Sequence, residues 1–503
     1  MRSEPAAAAA AAGPEHRLHP ASFLFVLLAQ LRQFLVPLAL VAFVGVRNED
    51  GWQLLAVALG TGGLAVAALA RYFTFRYAIG RDGLVLRSGV LQRNVRHIPF
   101  ARIHNVGLHQ SLVHRLFDVA EVRLESASGT RPEAEMRVLR LADAQALENL
   151  VRHSAERPAG VDAAPAAAPS ARVLLALGPG ELLRLGLISN RGMVVVAAGF
   201  GVLAQSGSDL LADALEEWST VLFGYAQQLQ LGWVATAVAA AGLVAAAMAA
   251  LRLLSVLLAV LTYHGFTLSE QDGRLQVQRG LLTRVRASVP RHRIQAFAVG
   301  ESLLQRLFRR RDLRVDTAVR TSGNDARGLR ELAPIADPGA VDALVRDLLP
   351  GTAWPDLHWQ RLDPRAWRRM VVAPSWIVLG LSAMAAMRFG AWGALGLALL
   401  PLVVVRARLW ARHARYAVGE RLVAVHEGWL HRRWRFAEIG KLQGLRLAQS
   451  PFDRRLGMAT LWIDTAGAAL ADLPLRIRYL PLAEAEALYR RLGAEIARRR
   501  LQW

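Results

Sequence analysis

Three segments of this 503-residue chain carry one pattern at one spacing, and that repeat limits the fold more than any other feature. Take Gly89, Gly280 and Gly428 as anchors. A base lies 13 residues on in every copy (Arg102, Arg293, Lys441), and an aliphatic residue follows it (Ile103, Ile294, Leu442). A serine lies 22 residues past the glycine (Ser111, Ser302, Ser450), and an arginine four residues beyond the serine (Arg115, Arg306, Arg454). Agreement at fixed offsets in three copies means that one structural unit is built three times.

Within a copy the local structure is legible. Tyr77 to Ile79 and Leu84 to Leu86 alternate around Gly80-Arg81-Asp82-Gly83, which is a β-hairpin signature. Val90-Leu91 opens a further strand, His97 to Val106 reads as strand, turn, strand, and Val119 to Glu125 alternates again. Each copy closes with an amphipathic helix after an acidic start signal. Asp143 precedes Leu147, Leu150 and Val151; Asp337 precedes Val341, Leu344, Val345 and Leu348; Glu484 precedes Leu488, Leu492 and Ile496. Spacings of three and four put those groups on one face. The result is a small antiparallel sheet closed by a C-terminal helix. The recurring serines lack a histidine or acid at a fixed offset, so they suit a turn or cap rather than a nucleophile.

Long apolar runs precede each copy. A helix needs about 20 apolar residues to cross the hydrocarbon core. Six runs approach or reach this: Phe23 to Val46, Trp52 to Ala70, Gly192 to Ala204 (short unless it begins near Leu185), Leu231 to Leu261, Met370 to Met387, and Ala391 to Val405. Arg47 to Asp50 separates the first pair and Arg388 to Gly390 the last, links so short that they force antiparallel hairpins. The middle pair is joined by a loop with Asp209, Asp213, Glu216 and Glu217 and no base, whereas the segments between pairs are rich in arginine. The positive-inside rule then puts both termini and all large segments in the cytoplasm. Arg32, within the first run, is best placed at the interface, with the span starting near Gln33. Arg184, Arg191, Arg365, Arg368 and Arg369 form basic lead-ins to later spans, suited to an anionic inner surface.

The formal charge of +21 fits this reading, and only one of the 61 bases, Lys441, is lysine. With no cysteine, disulfides, thiolate catalysis and Cys-based zinc sites are excluded. His97, His104, His109 and His114 lie close together, but Gln295 and Gln305 replace His104 and His114 in the second copy, which argues against a metal. Gly60 to Gly63 lies inside a span, where small residues serve helix packing rather than phosphate binding. No cofactor is expected. Arg306, Arg309, Arg310 and Arg311 cluster in the second copy; Arg432, Arg433 and Arg435 cluster in the third, interleaved with Trp429 and Trp434. These clusters are either ordinary inner-surface charge or contacts to anionic lipid headgroups or a partner, as are the recurring Arg102, Arg293 and Lys441. No recognition motif for nucleic acid accompanies them.

The glycine-terminated strand pair, the stretch Ile98 to Val106 (IPFARIHNV) and the stretch Gln110 to Phe117 (QSLVHRLF) resemble the bacterial pleckstrin-homology-like domain of the YdbS/YdbT membrane protein family. The resemblance implies a PH-like β-barrel with a capping helix, and little about activity. The third copy departs from the pattern: Glu438 stands where the others have Pro99 and Pro290, and Leu456 where they have Phe117 and Phe308. The expected architecture is a membrane α + β protein with six transmembrane helices in three hairpins, each followed by a PH-like antiparallel β-barrel and its C-terminal helix. Expected boundaries are a disordered start at 1–20, a hairpin at 21–71, a domain at 72–153, an Ala/Pro linker at 154–172, a hairpin at 182–262, a domain at 263–350, a hairpin at 365–406 and a domain at 407–500. The expected function is that of a non-enzymatic scaffold at the inner membrane, touching anionic lipids and a membrane protein partner such as a smaller protein with one PH-like domain. The alternative is a component of a transporter or of a peptide-export or resistance complex, for which Gln30, Arg32 and Gln33 are the obvious polar groups. A membrane enzyme has no sequence support.

Overall fold

In the computed structural model, the described residues are 15–17, 59–60, 62–63, 66, 70, 73–80, 83–89, 93–100, 103–126, 134–156, 171–205, 216–217, 220, 232–317, 330–465 and 474–498. Arg102, Val90-Leu91, Arg32 and most of the first expected hairpin lie outside them.

The anchor glycines explain themselves first. Gly89, Gly280 and Gly428 all have φ between 91° and 113°, a region closed to L side chains. A Cβ on Gly280 would lie 2.0 Å from the Thr283 carbonyl oxygen, and one on Gly428 1.9 Å from that of His431. The recurring serines are helix N-caps. Ser111, Ser302 and Ser450 accept from the backbone N–H three residues on, and Ser302 and Ser450 complete capping boxes with Gln305 and Asp453.

The first unit contains strands β1 (Glu15–Arg17), β2 (Arg76–Ile79), β3 (Gly83–Ser88), β4 (Asn94–Pro99), β5 (Ile103–Gln110), β6 (Val119–Ser126) and β7 (Ala134–Arg140). Helix α1 (Leu112–Leu116) follows β5, and α2 (Leu141–Glu156) closes the unit. The expected hairpin is present, with Tyr77 opposite Leu86 and Ile79 opposite Leu84. The disordered start is corrected at Glu15–Arg17, which pairs with β2.

The second unit begins before its helices. Strand β8 (Arg172–Ala176) leads into α3 (Pro179–Ile188), α4 (Arg191–Gln205) and α5 (Trp233–Tyr263); β9 (Thr267–Gln271), β10 (Arg274–Arg279), β11 (Arg284–Pro290) and β12 (Ile294–Glu301) follow. The unit ends with α6 (Leu303–Leu307), β13 (Arg311–Thr317), β14 (Glu331–Ala336) and α7 (Pro338–Leu348), the last capped by Asp337 as expected. In the third unit, β15 (Gln360–Arg361) precedes α8 (Ala366–Phe389) and α9 (Leu399–His413). Then come β16 (Arg415–Val418), β17 (Leu422–Glu427), β18 (Arg432–Glu438), β19 (Leu442–Ala448), α10 (Pro451–Arg455), β20 (Met458–Thr465), β21 (Leu475–Pro481) and α11 (Leu482–Arg498). Helix α11 starts two residues before Glu484, which sits in its first turn.

Strands β8 and β15, which lie ahead of the helices, pair with β9 and β16, which lie after them. Each helical pair is thus inserted between two neighbouring strands of one sheet. The 5-residue β8 starts at the last residue of the expected 154–172 linker, and the 2-residue β15 lies between the expected domain at 263–350 and the hairpin at 365–406, so neither strand was expected.

The helices pack through small residues. Gly192 N–H donates to Ser255 Oγ at 2.9 Å, and a Cβ on Gly186 would meet Val256 Cα at 2.4 Å. Between α3 and α4 the axis bends by 48°. Arg252 on α5 satisfies the exposed end of α3 there, donating to the carbonyls of Leu187 and Ser189 and to Asn190 Oδ1. The short third span is therefore two helices. Val234–Tyr263 and the run Ala366–His413 are each long and apolar enough to cross a membrane, and the bent pair would make a third. The Ala366–His413 run turns back at Gly390 (φ 62°), passes through a 3-10 stretch, Gly390–Ala398, and brings Gly396 against Ser382.

No sheet closes on itself among the described residues, so the expected barrels are not seen there. Each unit instead contributes strands to two sheets, and the sheets cross unit boundaries. One runs β7-β6-β5-β11-β10-β9-β8, and the other β14-β13-β12-β18-β17-β16-β15. The chain leaves β11 through a 3-10 turn (Arg291–Arg293), and both β11 and β12 then pair outward with neighbouring units rather than with each other.

Candidate functional site

The two unit junctions share one register. At the first, Gln110 faces Arg284, His109 faces Val285 and Leu108 faces Arg286. At the second, Glu301 faces Arg432, Gly300 faces Arg433, Val299 faces Trp434, and the ladder continues to Phe297 opposite Phe436. Measured from the anchor glycines, offset 21 meets offset 4 in both cases (110 − 89 and 284 − 280; 301 − 280 and 432 − 428). The second junction also has an aromatic core: Phe436 stacks on Phe297 at 5.5 Å and on Trp354 at 4.3 Å.

Where the α3–α4 bend and the end of α5 meet this second junction, a cleft of about 320 Å³ opens. Arg191 and Tyr263 come from the helices, Arg314, Arg330 and Glu331 from or beside β13 and β14, and Arg432, Arg433 and Arg435 from β18. One wall is a closed polar cluster. Tyr263 donates to Glu331, Arg191 donates to the Tyr263 hydroxyl, and Arg279 pairs with Glu331 at 3.1 Å. Both guanidinium groups also lie over the Tyr263 ring, at 4.6 and 4.9 Å. The other acids in the lining are Glu301, Asp312 and Asp316. Glu301 pairs with Arg311 and Arg432, and Asp312 with Arg314, and the six lining arginines outnumber the four lining acids. The lining thus keeps an excess of positive charge next to the helix ends.

Of the bases singled out in the sequence, Arg432, Arg433 and Arg435 line this cleft, and Arg433 is exposed. Others serve as ties. Arg306 donates to the Trp429 carbonyl of the third unit at 2.7 Å, and Lys441 donates to the His292 carbonyl of the second. Arg310 binds Glu181 at the start of α3 at 2.7 and 2.8 Å. Arg311 reaches Glu301 and Asp342 and lies over Trp434 at 4.9 Å. Arg293 is partly buried, which lowers its pKa from the ordinary arginine value. Arg309 is exposed, at φ 51°, in the place that Gly457 takes in the third unit. Arg369, read as a membrane lead-in, instead binds Asp453 at 2.6 Å and Ser450 Oγ at 3.2 Å.

Tyr263, Arg279 and Glu331 were not singled out by the sequence reading. They are joined across the fold rather than along it, and no offset shared by all three copies marks them: Tyr263 has a counterpart in Tyr72 but Ala411 in the third copy.

The bacterial PH domain family matches residues 23–155, 226–347 and 375–496. The UPF0699 transmembrane protein YdbT of Bacillus subtilis (strain 168) is 21% identical over 466 residues, covering 88% of this chain and 91% of that protein. No solved structure matches the chain.

Proposed function

The chain belongs to the bacterial PH domain family, and from that premise we propose that it is a multi-pass membrane scaffold acting without catalysis. In this reading six helices in three hairpins hold three PH-like units at the cytoplasmic face, and the cleft at the second junction takes anionic lipid headgroups. The observation that carries it is the insertion of helices between neighbouring strands, β8 with β9 and β15 with β16. Both ends of such a hairpin start from one sheet, so an even number of crossings returns the chain to one side. The sheets then run between units, which makes a platform of them rather than beads on a string. Each base near an anionic surface adds about 1 kcal/mol, so the surplus of bases in the cleft favours an anionic headgroup there.

The test uses the full chain in nanodiscs of phosphatidylcholine alone or mixed with phosphatidylglycerol. Hydrogen exchange at β18 and β14 should slow in the anionic discs, and the slowing should disappear in the Arg432→Gln, Arg433→Gln double variant. Equal exchange in both discs would remove the lipid part of the reading.

A further inference from the structure

The array has two open ends that match each other. Strand β4 occupies in the first unit the place of β11 and β18, and β19 occupies in the third the place of β5 and β12. The inner strands are covered by a neighbouring unit, β5 and β12 by the next and β11 and β18 by the preceding one. Among the described residues β4 and β19 each have a strand neighbour on one side only. An uncovered edge of this kind is a template for pairing.

The residues along both edges fit the register of the internal junctions. At offsets 21 and 4 the ends carry Gln449 and Arg93, the same types as Gln110 and Arg284 at the first junction. At offsets 20 and 5 they carry Ala448 and Asn94, and at 19 and 6 Leu447 and Val95. Val95 is 60% exposed on the β4 edge. Leu447 is half-buried against the third unit's core, whereas its counterparts Leu108 and Val299, covered by the next unit, are 5% and 1% exposed. The next pair would set Arg446 opposite Arg96, a like-charge contact that stops the ladder after three pairs. Three pairs are what the first internal junction uses.

A second feature repeats at each junction. Arg115 donates to the Leu281 carbonyl at 3.3 Å and Arg306 to the Trp429 carbonyl at 2.7 Å, each one residue past the next unit's anchor glycine. Arg454 holds the same place in the third unit, is exposed, and has no side-chain partner among the described residues.

We infer that copies of this chain join head to tail in the membrane, with β19 of one copy pairing antiparallel with β4 of the next in the internal register. The occupant of each edge is thus a second copy of the chain. The interface is heterologous, so assembly continues beyond the dimer unless it closes into a ring.

The absence of cysteine makes the test clean. Facing residues of an antiparallel pair have Cα atoms about 4.5–5.5 Å apart, within disulfide reach. The full chain with Asn94→Cys and Ala448→Cys should give a ladder of dimers and higher species when its membranes are oxidised. Either cysteine alone should stop at a dimer or give none. His109→Cys with Val285→Cys, the equivalent internal pair, is the positive control and should close within one chain. Adding Val95→Glu, on an already exposed side chain, should abolish the ladder while the internal control still closes. A ladder-free Asn94/Ala448 variant beside a working internal control would overturn the inference. So would an equal ladder from Val95→Cys with Ala448→Cys, which is one residue out of register. Neither result depends on lipid charge, so this inference and the headgroup reading fail separately.

Discussion

Arg306 in the second unit donates through Nη2 to the backbone carbonyl of Trp429 in the third, at 2.7 Å, directly beside the strand pairing that joins the two units. A hydrogen bond from a charged donor in a partly buried place contributes about 1.5–3 kcal/mol. Arg306→Ala should therefore loosen β18 where it meets β12, which hydrogen exchange on the full chain would show as faster exchange at Arg432–Phe436. Arg115→Ala should do less at the first junction, because its bond to Leu281 is 3.3 Å long and exposed.

Gly280 offers a sharper test of the repeat. At φ 110° an alanine is strained, and its Cβ would collide with the Thr283 carbonyl oxygen at 2.0 Å. Strain alone costs about 1–3 kcal/mol, and the collision adds to it. Gly265→Ala is the comparison: φ is 63°, nothing lies within 4 Å, and the expected cost is about 1–2 kcal/mol. Thermal unfolding of the two variants in detergent should rank them in that order.

Much of each unit was legible because its signals are local. Glycine at positive φ, serine three residues before the N–H it caps, and apolar groups on one helix face all depend on neighbours within a few residues. The unit boundaries were less legible. Strands β8 and β15 are short and cut off from their partners by whole helical pairs, so Arg172–Ala176 and Gln360–Arg361 carry little pattern of their own. The junctions were invisible for a related reason: Gln110 meets Arg284 from 174 positions away (284 − 110), and an unpaired edge strand and a paired one have the same alternation. The clustered arginines were visible, but charge alone does not distinguish Arg433, which faces the cleft, from Arg310, which is taken up by Glu181.

Arg369 and Asp453 show how a helix is fastened to its unit. The pair is 2.6 Å apart and largely buried, and Asp453 also completes the cap on α10. Removing one partner of such a pair costs about 3–5 kcal/mol, since the other charge is left buried. Asp453→Ala should therefore destabilise the third unit more than Ser450→Ala, whose lost cap costs about 1 kcal/mol. Thermal melts followed by tryptophan fluorescence would compare them.

The topology can be read with single cysteines in the cysteine-free chain. Asp213→Cys, in the acidic loop expected between the third and fourth spans, should react with a membrane-impermeant maleimide added to intact cells if the proposed orientation holds. Arg455→Cys, exposed at the end of α10, should react only after the membrane is opened. Labelling of Arg455→Cys from outside would reverse the orientation.

His426 makes stability depend on pH with a definite sign. Its Nδ1–H donates to the His413 carbonyl at 3.1 Å and its ring stacks on Trp434 at 4.8 Å, so the fold holds it neutral. Burial, and then the nearby positive charges of Arg432 and Arg415, push its pKa down to about 4 from an ordinary 6.5. Between those values the unfolded chain binds the proton and the folded chain does not. Stability contributed by this residue is therefore full above pH 6.5, falls as the pH drops towards 4, and is lost below it. The span corresponds to at most about 3 kcal/mol. The measurement is the melting temperature at pH 7.5 and at pH 4.5, for the native chain and for His426→Gln. The native chain should lose more stability on acidification than the variant, because glutamine has no proton to gain. An equal loss in both would mean that His426 does not set the acid sensitivity of the third unit.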